Sequence, residues 1–124
     1  MDTPADIPAE ERTPEKRSIV RYDEFARLQF RVATVTAAER VPKTDRLLRL
    51  ELTLGEETRQ IVAGVGTRYQ PEAMVGRQII VIANLEPAVI RGVESQGMLL
   101  AADAEGGPVV LRPDSEVPPG SRVR

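Results

Sequence analysis

Leucine recurs at every second position from Leu48 to Leu54, with Arg49, Glu51 and Thr53 between, and nothing else in the chain constrains the fold as tightly. Successive side chains of a β-strand point to opposite faces, so the leucines form an apolar face and the intervening residues a polar one. The strand runs from Leu47 to Leu54. Gly55-Glu56-Glu57 supplies a hairpin turn, and Arg59 to Ala63 returns as a neighbouring strand.

The other segments follow from composition and punctuation. Residues 1–18 contain three prolines, many charges and almost no large apolar side chain, which predicts a flexible charged arm ahead of a folded domain over residues 19–124. Acidic Asp23-Glu24, with Phe25 and Leu28 on one helical face, predicts a short helix within Tyr22–Leu28. Phe30 to Ala38 is a β-rich first strand, followed by a turn at Val41-Pro42-Lys43-Thr44-Asp45. A second short helix falls between Thr67 and Val75, with Pro71 in its first turn and Gly76 ending it. Gln78 to Ala83, apolar on both faces, is a central strand. Met98 to Ala102 is the fifth, Pro108 to Leu111 a short extra strand, and Pro113 to Arg124 a loop-rich tail with a final edge segment. Three strands, a helix and two strands place the chain in the mainly all-β class, as an OB-fold: a partly open five-stranded Greek-key barrel with short helices. A different small β-barrel is the competing reading, and neither gives function by itself.

Composition narrows the chemistry. The chain of 124 residues has the length of one domain and contains neither Cys nor His. Thiolate catalysis, the usual zinc sites and histidine-dependent triads are excluded, and no cofactor is expected. Residues 1–18 hold no apolar run that would make a secretory signal, and no later segment is long enough to span a membrane, so the expected location is cytoplasmic. The net charge of −2 argues against a generally basic nucleic-acid binder. Residues 21–91, however, carry eleven bases against nine acids, and fifteen of the seventeen bases in the chain are Arg. Any basic surface is therefore local, and Arg suits bidentate phosphate contacts and base stacking. Genome composition or thermal adaptation would give the same Arg excess.

The segment from Asn84 to Ala102 lies between two apolar strands and contains a Pro, two Gly, a Ser and one fixed positive charge, Arg91. Such an ordered connection is a scaffolded place for a binding residue, although on composition alone most are only turns.

Several ordered pieces resemble one family. They are Phe30-Arg31-Val32-Ala33, Asp45-Arg46-Leu47-Leu48-Arg49-Leu50, Arg59-Gln60-Ile61-Val62-Ala63-Gly64, Tyr69-Gln70-Pro71-Glu72 and Val75-Gly76-Arg77. Asn84-Leu85-Glu86-Pro87, Arg91-Gly92 and Ser95-Gln96-Gly97-Met98 complete the set. From about Phe25 to Ala102 the chain is similar to the tRNA-binding domain found at the C-terminus of many bacterial methionyl-tRNA synthetases. The same domain occurs as a stand-alone tRNA-binding protein and in auxiliary factors of eukaryotic synthetase complexes. The resemblance implies an OB-fold that binds tRNA by overall shape, has no catalytic activity, and is usually a homodimer when it stands alone. An aminoacyl-tRNA synthetase is a further candidate partner. Family members often carry a Lys between the Pro and the Gly of the loop. Here Ala88, Val89 and Ile90 precede Arg91, which removes one phosphate contact.

The candidate RNA-binding residues each have a plain alternative. Arg49 and Arg59, on neighbouring strands, are expected to face the open side of the barrel and fix a tRNA by its phosphates, or else to form a solvated charged face with Glu51. Arg31, Lys43 and Arg46 would extend that patch. Asn84 either contacts RNA or holds the loop through backbone hydrogen bonds. By resemblance to the family's Ser-x-Gly-Met motif, Ser95 and Met98 lie at the RNA site; the alternatives are a turn cap and a core residue. Tyr22, Phe25, Phe30 and Tyr69 are too few aromatics for a single-strand stacking platform, so folded RNA fits better. The favoured reading is a tRNA chaperone or synthetase auxiliary. Second is a peptide-binding export chaperone of the same barrel, which typically lacks the complete Ser-x-Gly-Met ending and the Val-Ala-Gly version of strand three. An adaptor that docks on a synthetase through the acidic arm is third.

Overall fold

The computed structural model describes residues 19–124; the arm expected over residues 1–18 lies outside them. In chain order the elements are α1 (Tyr22–Phe25), β1 (Phe30–Arg40), β2 (Leu48–Thr53), β3 (Thr58–Ala63) and α2 (Pro71–Met74). They continue with β4 (Gln78–Ile82), β5 (Ala88–Ile90), β6 (Val93–Ser95), β7 (Met98–Leu99), β8 (Ala101–Ala102), β9 (Val109–Val110) and β10 (Arg122–Val123).

β1 organises the sheet. Its first half pairs antiparallel with β4, Phe30 opposite Ile82, and its second half with β2, Arg40 opposite Leu48. The register slips between Val35 and Ala37, and this bulge increases the local bend and twist of a strand that serves both halves of a curled sheet. β3 adds to β2 and β7 to β4, giving the order β3-β2-β1-β4-β7, while β10 pairs with the start of β1. This is the five-stranded barrel expected from the strand order. Leu48, Leu50, Leu52 and Leu54 all face inward with Ile61, Ile79, Val35 and Val65, and none is more than 2% exposed. Burying each leucine is worth roughly 1.5–3 kcal/mol. α2 covers one end, with Pro71 in the first turn, where no N–H is needed, and Met74 fully buried beneath.

Two expectations change in detail. The fifth strand is split: β7 stays with β4, whereas β8 leaves to pair with β9. The connection between β4 and β7 also contains a hairpin of its own, β5–β6, joined by the two-residue turn Arg91-Gly92. Both turn residues have positive φ, 53° and 80°, the geometry whose twist matches that of the flanking strands. The hairpin packs on the outer side of β3, where Ile90 and Val93 meet a satellite cluster of Val41, Leu47 and Val62.

Candidate nucleic-acid interface

Arg49 and Arg59 do not form the expected pair. Residues directly opposite on antiparallel strands point to the same face. Arg49 is opposite Val62 and Glu51 opposite Gln60, on the outer face; Arg59 is opposite Leu52, on the leucine face. The separation follows from the turn. Four residues, Leu54 to Glu57, connect the strands, so odd positions of β2 pair with even positions of β3.

Each of these guanidinium groups is already engaged. Arg49 donates to Glu39 at 3.2 Å, to Gln60 at 3.1 Å and to Glu51 at 3.5 Å. The hydrogen bond from Arg49, and then its charge, hold the Glu39 carboxyl below its ordinary range, and the same contact raises Arg49 further. Arg59 donates to the carbonyls of Ala83 and Gln96 and grips Glu57 with two nitrogens at 3.2 and 3.4 Å. Arg31 donates to the Gly120 carbonyl at 2.9 Å and lies 3.7 Å from Glu57, tying the tail to β1.

Ser95 and Asn84 are structural clamps. No backbone ladder pairs β3 with β7, and this seam of the barrel is closed largely by side chains. Ser95 is 4% exposed; its Oγ accepts from Val62 N–H at 2.9 Å and donates to the Gly97 carbonyl at 3.0 Å. Gln96 Oε1 accepts from Gln60 N–H, and Gln96 N–H donates to the Gln60 carbonyl. The sequence reading missed Gln96, which occupies the variable position of Ser-x-Gly-Met. Asn84 accepts from Gln29 N–H at 2.9 Å and donates to the Arg27 carbonyl at 2.6 Å, fastening the segment behind α1 to the end of β4.

Lys43, Arg46, Arg91 and Met98 remain available. The three cations are exposed, and no carboxylate pairs with them among the described residues. Thr44 Oγ1 shapes the β1–β2 loop by accepting from the N–H groups of Arg46 and Leu47. Val41 and Leu47 of this loop pack in the same cluster as Ile90 and Val93, so Lys43 and Arg46 share one end of the barrel with Arg91 at the hairpin tip. Met98 is 48% exposed on a groove of about 300 Å³ whose walls include Val62, Leu85, Ala88 and Ile90. A larger hollow of about 900 Å³, between β1, α2 and residues 112–116, contains none of the nine candidates.

A family model described as "Putative tRNA binding domain" matches residues 30–122, from the first residue of β1 to the first of β10. The chain is 53% identical over 116 residues to the methionine–tRNA ligase of Methanothrix thermoacetophila, covering 94% of this chain and 17% of that protein. It thus spans under a fifth of the length of the curated relatives it matches. It superposes on a MetRS related protein from Pyrococcus horikoshii with a TM-score of 0.81 and 38% identity, over 86% of this chain and 99% of the other. With the chaperone CsaA of Bacillus anthracis the TM-score is 0.79 and the identity 32%, over 86% and 100% of the two chains. On a match that spans the whole barrel, the chain belongs to the tRNA-binding domain family.

Proposed function

We propose that this chain is a non-catalytic module that holds folded tRNA by its shape and phosphate backbone, as a cytoplasmic tRNA chaperone or synthetase auxiliary. One observation carries the reading. Among the described residues only two other than glycine have positive φ, and both are cations on the shared end of the barrel: Lys43 at 68° and Arg91 at 53°. Glycine would adopt these turns without strain, whereas a residue with a Cβ there costs on the order of 1–3 kcal/mol. Strain kept at unpaired cations supports a binding role. Lys43, Arg46 and Arg91 contact phosphates in this reading and Met98 offers an apolar surface, while Arg31, Arg49, Arg59, Asn84 and Ser95 act through the fold. Exposed Ile19, Val20, Tyr22, Phe25 and Leu28 form an apolar surface suited to a homodimer, which light scattering tests.

The test is a gel-shift titration with bulk folded tRNA, unfolded tRNA and an unstructured peptide at two salt concentrations. Tight, salt-sensitive binding to folded tRNA, lost when Lys43, Arg46 and Arg91 are all changed to Glu, is expected. The second reading is a peptide chaperone, favoured by the apolar groove and the likeness to CsaA. Peptide binding without a tRNA shift would select it.

A further inference from the structure

The groove beside Met98 is more than an apolar contact surface, because it carries a polar edge. Gln60 and Val62 direct successive N–H groups of β3 across the seam to Gln96 and Ser95. Gly64 comes next in this row, and its N–H makes no hydrogen bond among the described residues. Glu86 lines the rim, and no cation pairs with its carboxylate among the described residues. Arg46 lies over Gly64: a Cβ there would sit 2.5 Å from Arg46 Nη1 and 3.6 Å from its Cζ. The absence of a side chain at Gly64, itself part of the groove wall, thus leaves room for an exposed guanidinium directly above it.

We propose that this groove is a subsite for one unstacked nucleobase bearing an amino group, with Met98 against the ring, Glu86 and Gly64 N–H on its edge, and Arg46 on the attached phosphate. The assignment rests on the chain's reading as a tRNA-binding module and adds a selective element to it. A volume of about 300 Å³ is at the lower end of small-ligand sites, roughly 300–1,000 Å³, which suits a single base. Leu85, Ile90 and Met98 supply the apolar faces that stacking requires. An aliphatic side chain would fill the same walls, and its peptide backbone could meet the carboxylate and the N–H, but the guanidinium would be left without an anion. A bare phosphate would meet Arg46 but also the like charge of Glu86. A base joined to a phosphate places donor, acceptor and anion where each has a counterpart. Uracil carries no amino group; its one base donor, the ring N3–H, is recessed between two carbonyl oxygens whose lone pairs face the Glu86 carboxylate, so it answers Glu86 less well than a projecting amino group.

The chain provides its own reporter, since Met1, Met74 and Met98 are its only methionines and Met74 is fully buried in the core. The experiment is methyl NMR of the full chain labelled with carbon-13 at the methionine methyls. It is titrated separately with the four ribonucleoside monophosphates, inorganic phosphate and N-acetyl-leucine amide, alongside the tRNA gel shift. The expected result is an upfield ring-current shift at Met98, none at Met74, with the guanine, adenine and cytosine nucleotides. The uracil nucleotide should bind weaker by roughly tenfold, because its recessed N3–H makes a poorer hydrogen bond to the charged group, and Glu86→Gln should narrow that gap. Phosphate alone should give no ring-current shift. A Met98 response to the leucine amide but not to nucleotides overturns the assignment in favour of a peptide side chain. Equal affinity for all four nucleotides overturns the amino selectivity. If no nucleotide moves Met98 while folded tRNA still shifts in the gel, the subsite falls and the tRNA reading stands. Nucleotide binding without a tRNA shift overturns the tRNA reading and leaves the subsite.

Discussion

Replacing Ser95 by Ala separates the two roles open to the Ser-x-Gly-Met segment, contact with RNA and closure of the barrel. In the structure the hydroxyl is buried and engaged at both ends, with Val62 N–H at 2.9 Å and the Gly97 carbonyl at 3.0 Å. Alanine strands both groups in a seam that lacks a backbone ladder to compensate. An unsatisfied buried donor or acceptor costs about 1–3 kcal/mol, and the carbonyl tolerates the loss better than the N–H. The expected destabilisation is therefore about 2–4 kcal/mol, a large share of the roughly 5–15 kcal/mol that holds a typical domain. In a chain of this size the melting temperature should fall by on the order of 10 °C. Urea unfolding followed by circular dichroism gives the first quantity. A gel shift at a temperature where the variant is still folded gives the other, an affinity for tRNA close to that of the parent. A stability change under about 0.5 kcal/mol, as at an ordinary surface site, combined with a tenfold loss of affinity, would refute the reasoning and place the hydroxyl on the RNA.

Three further predictions follow from the same contacts. Asn84→Ala should cost about 1 kcal/mol and speed hydrogen exchange at the Gln29 amide, which loses its acceptor, with tRNA affinity unchanged. Arg59→Met should lower the urea midpoint more than Arg49→Met, because Arg59 serves two part-buried backbone carbonyls, whereas Arg49 serves two exposed carboxylates and one side-chain amide oxygen. Glu39 should titrate below its ordinary value of 4.5 in the parent and return towards it in Arg49→Gln, as followed by carboxyl NMR. Because its folded pKa is depressed, its contribution to stability is present at neutral pH and disappears as the pH falls through that lowered value.

The main barrel was legible because its strongest signals are local. Alternating leucines define β2, Pro71 and Gly76 bracket α2, and the continuous apolar run of β4 marks a strand covered on both faces. The β5–β6 hairpin was not. Its strands have three residues each, and Arg-Gly is not one of the usual hairpin turn pairs, so Ala88-Val89-Ile90 read as a loop lacking a lysine. The placing of Arg49 and Arg59 on opposite faces was not legible for a different reason. Arg49 and Arg59 share sequence parity, and only the length of the connecting turn decides whether that puts them on one face; with four residues it puts them on opposite ones. The strand's own pattern offered no warning, because Ile61, Val62 and Ala63 are all apolar: Ile61 and Ala63 belong to the barrel core, and Val62 lies under the hairpin. Ser95 and Asn84 read equally well as contacts or clamps, since a hydroxyl or an amide declares its partner only once distant segments meet.

A chain with a net charge of −2 holds a polyanion only where its cations are not already answered by its own acids. For the three candidate arginines on β1, β2 and β3 they are: Arg31 and Arg59 meet Glu57, and Arg49 meets Glu39 and Glu51. A phosphate approaching that surface must displace a carboxylate from each guanidinium and then face it. At the loop end Lys43, Arg46 and Arg91 require no such exchange, so the proposed tRNA site lies there, away from the strand face that the residue types alone suggested. The difference has a measurable consequence. Three phosphate contacts releasing roughly 0.7–0.9 counterions each predict that log K falls against log salt with a slope of about −2 to −3 per protomer. Recruitment of the three strand arginines would nearly double that slope, and a steeper value would mean that the ion pairs open on binding.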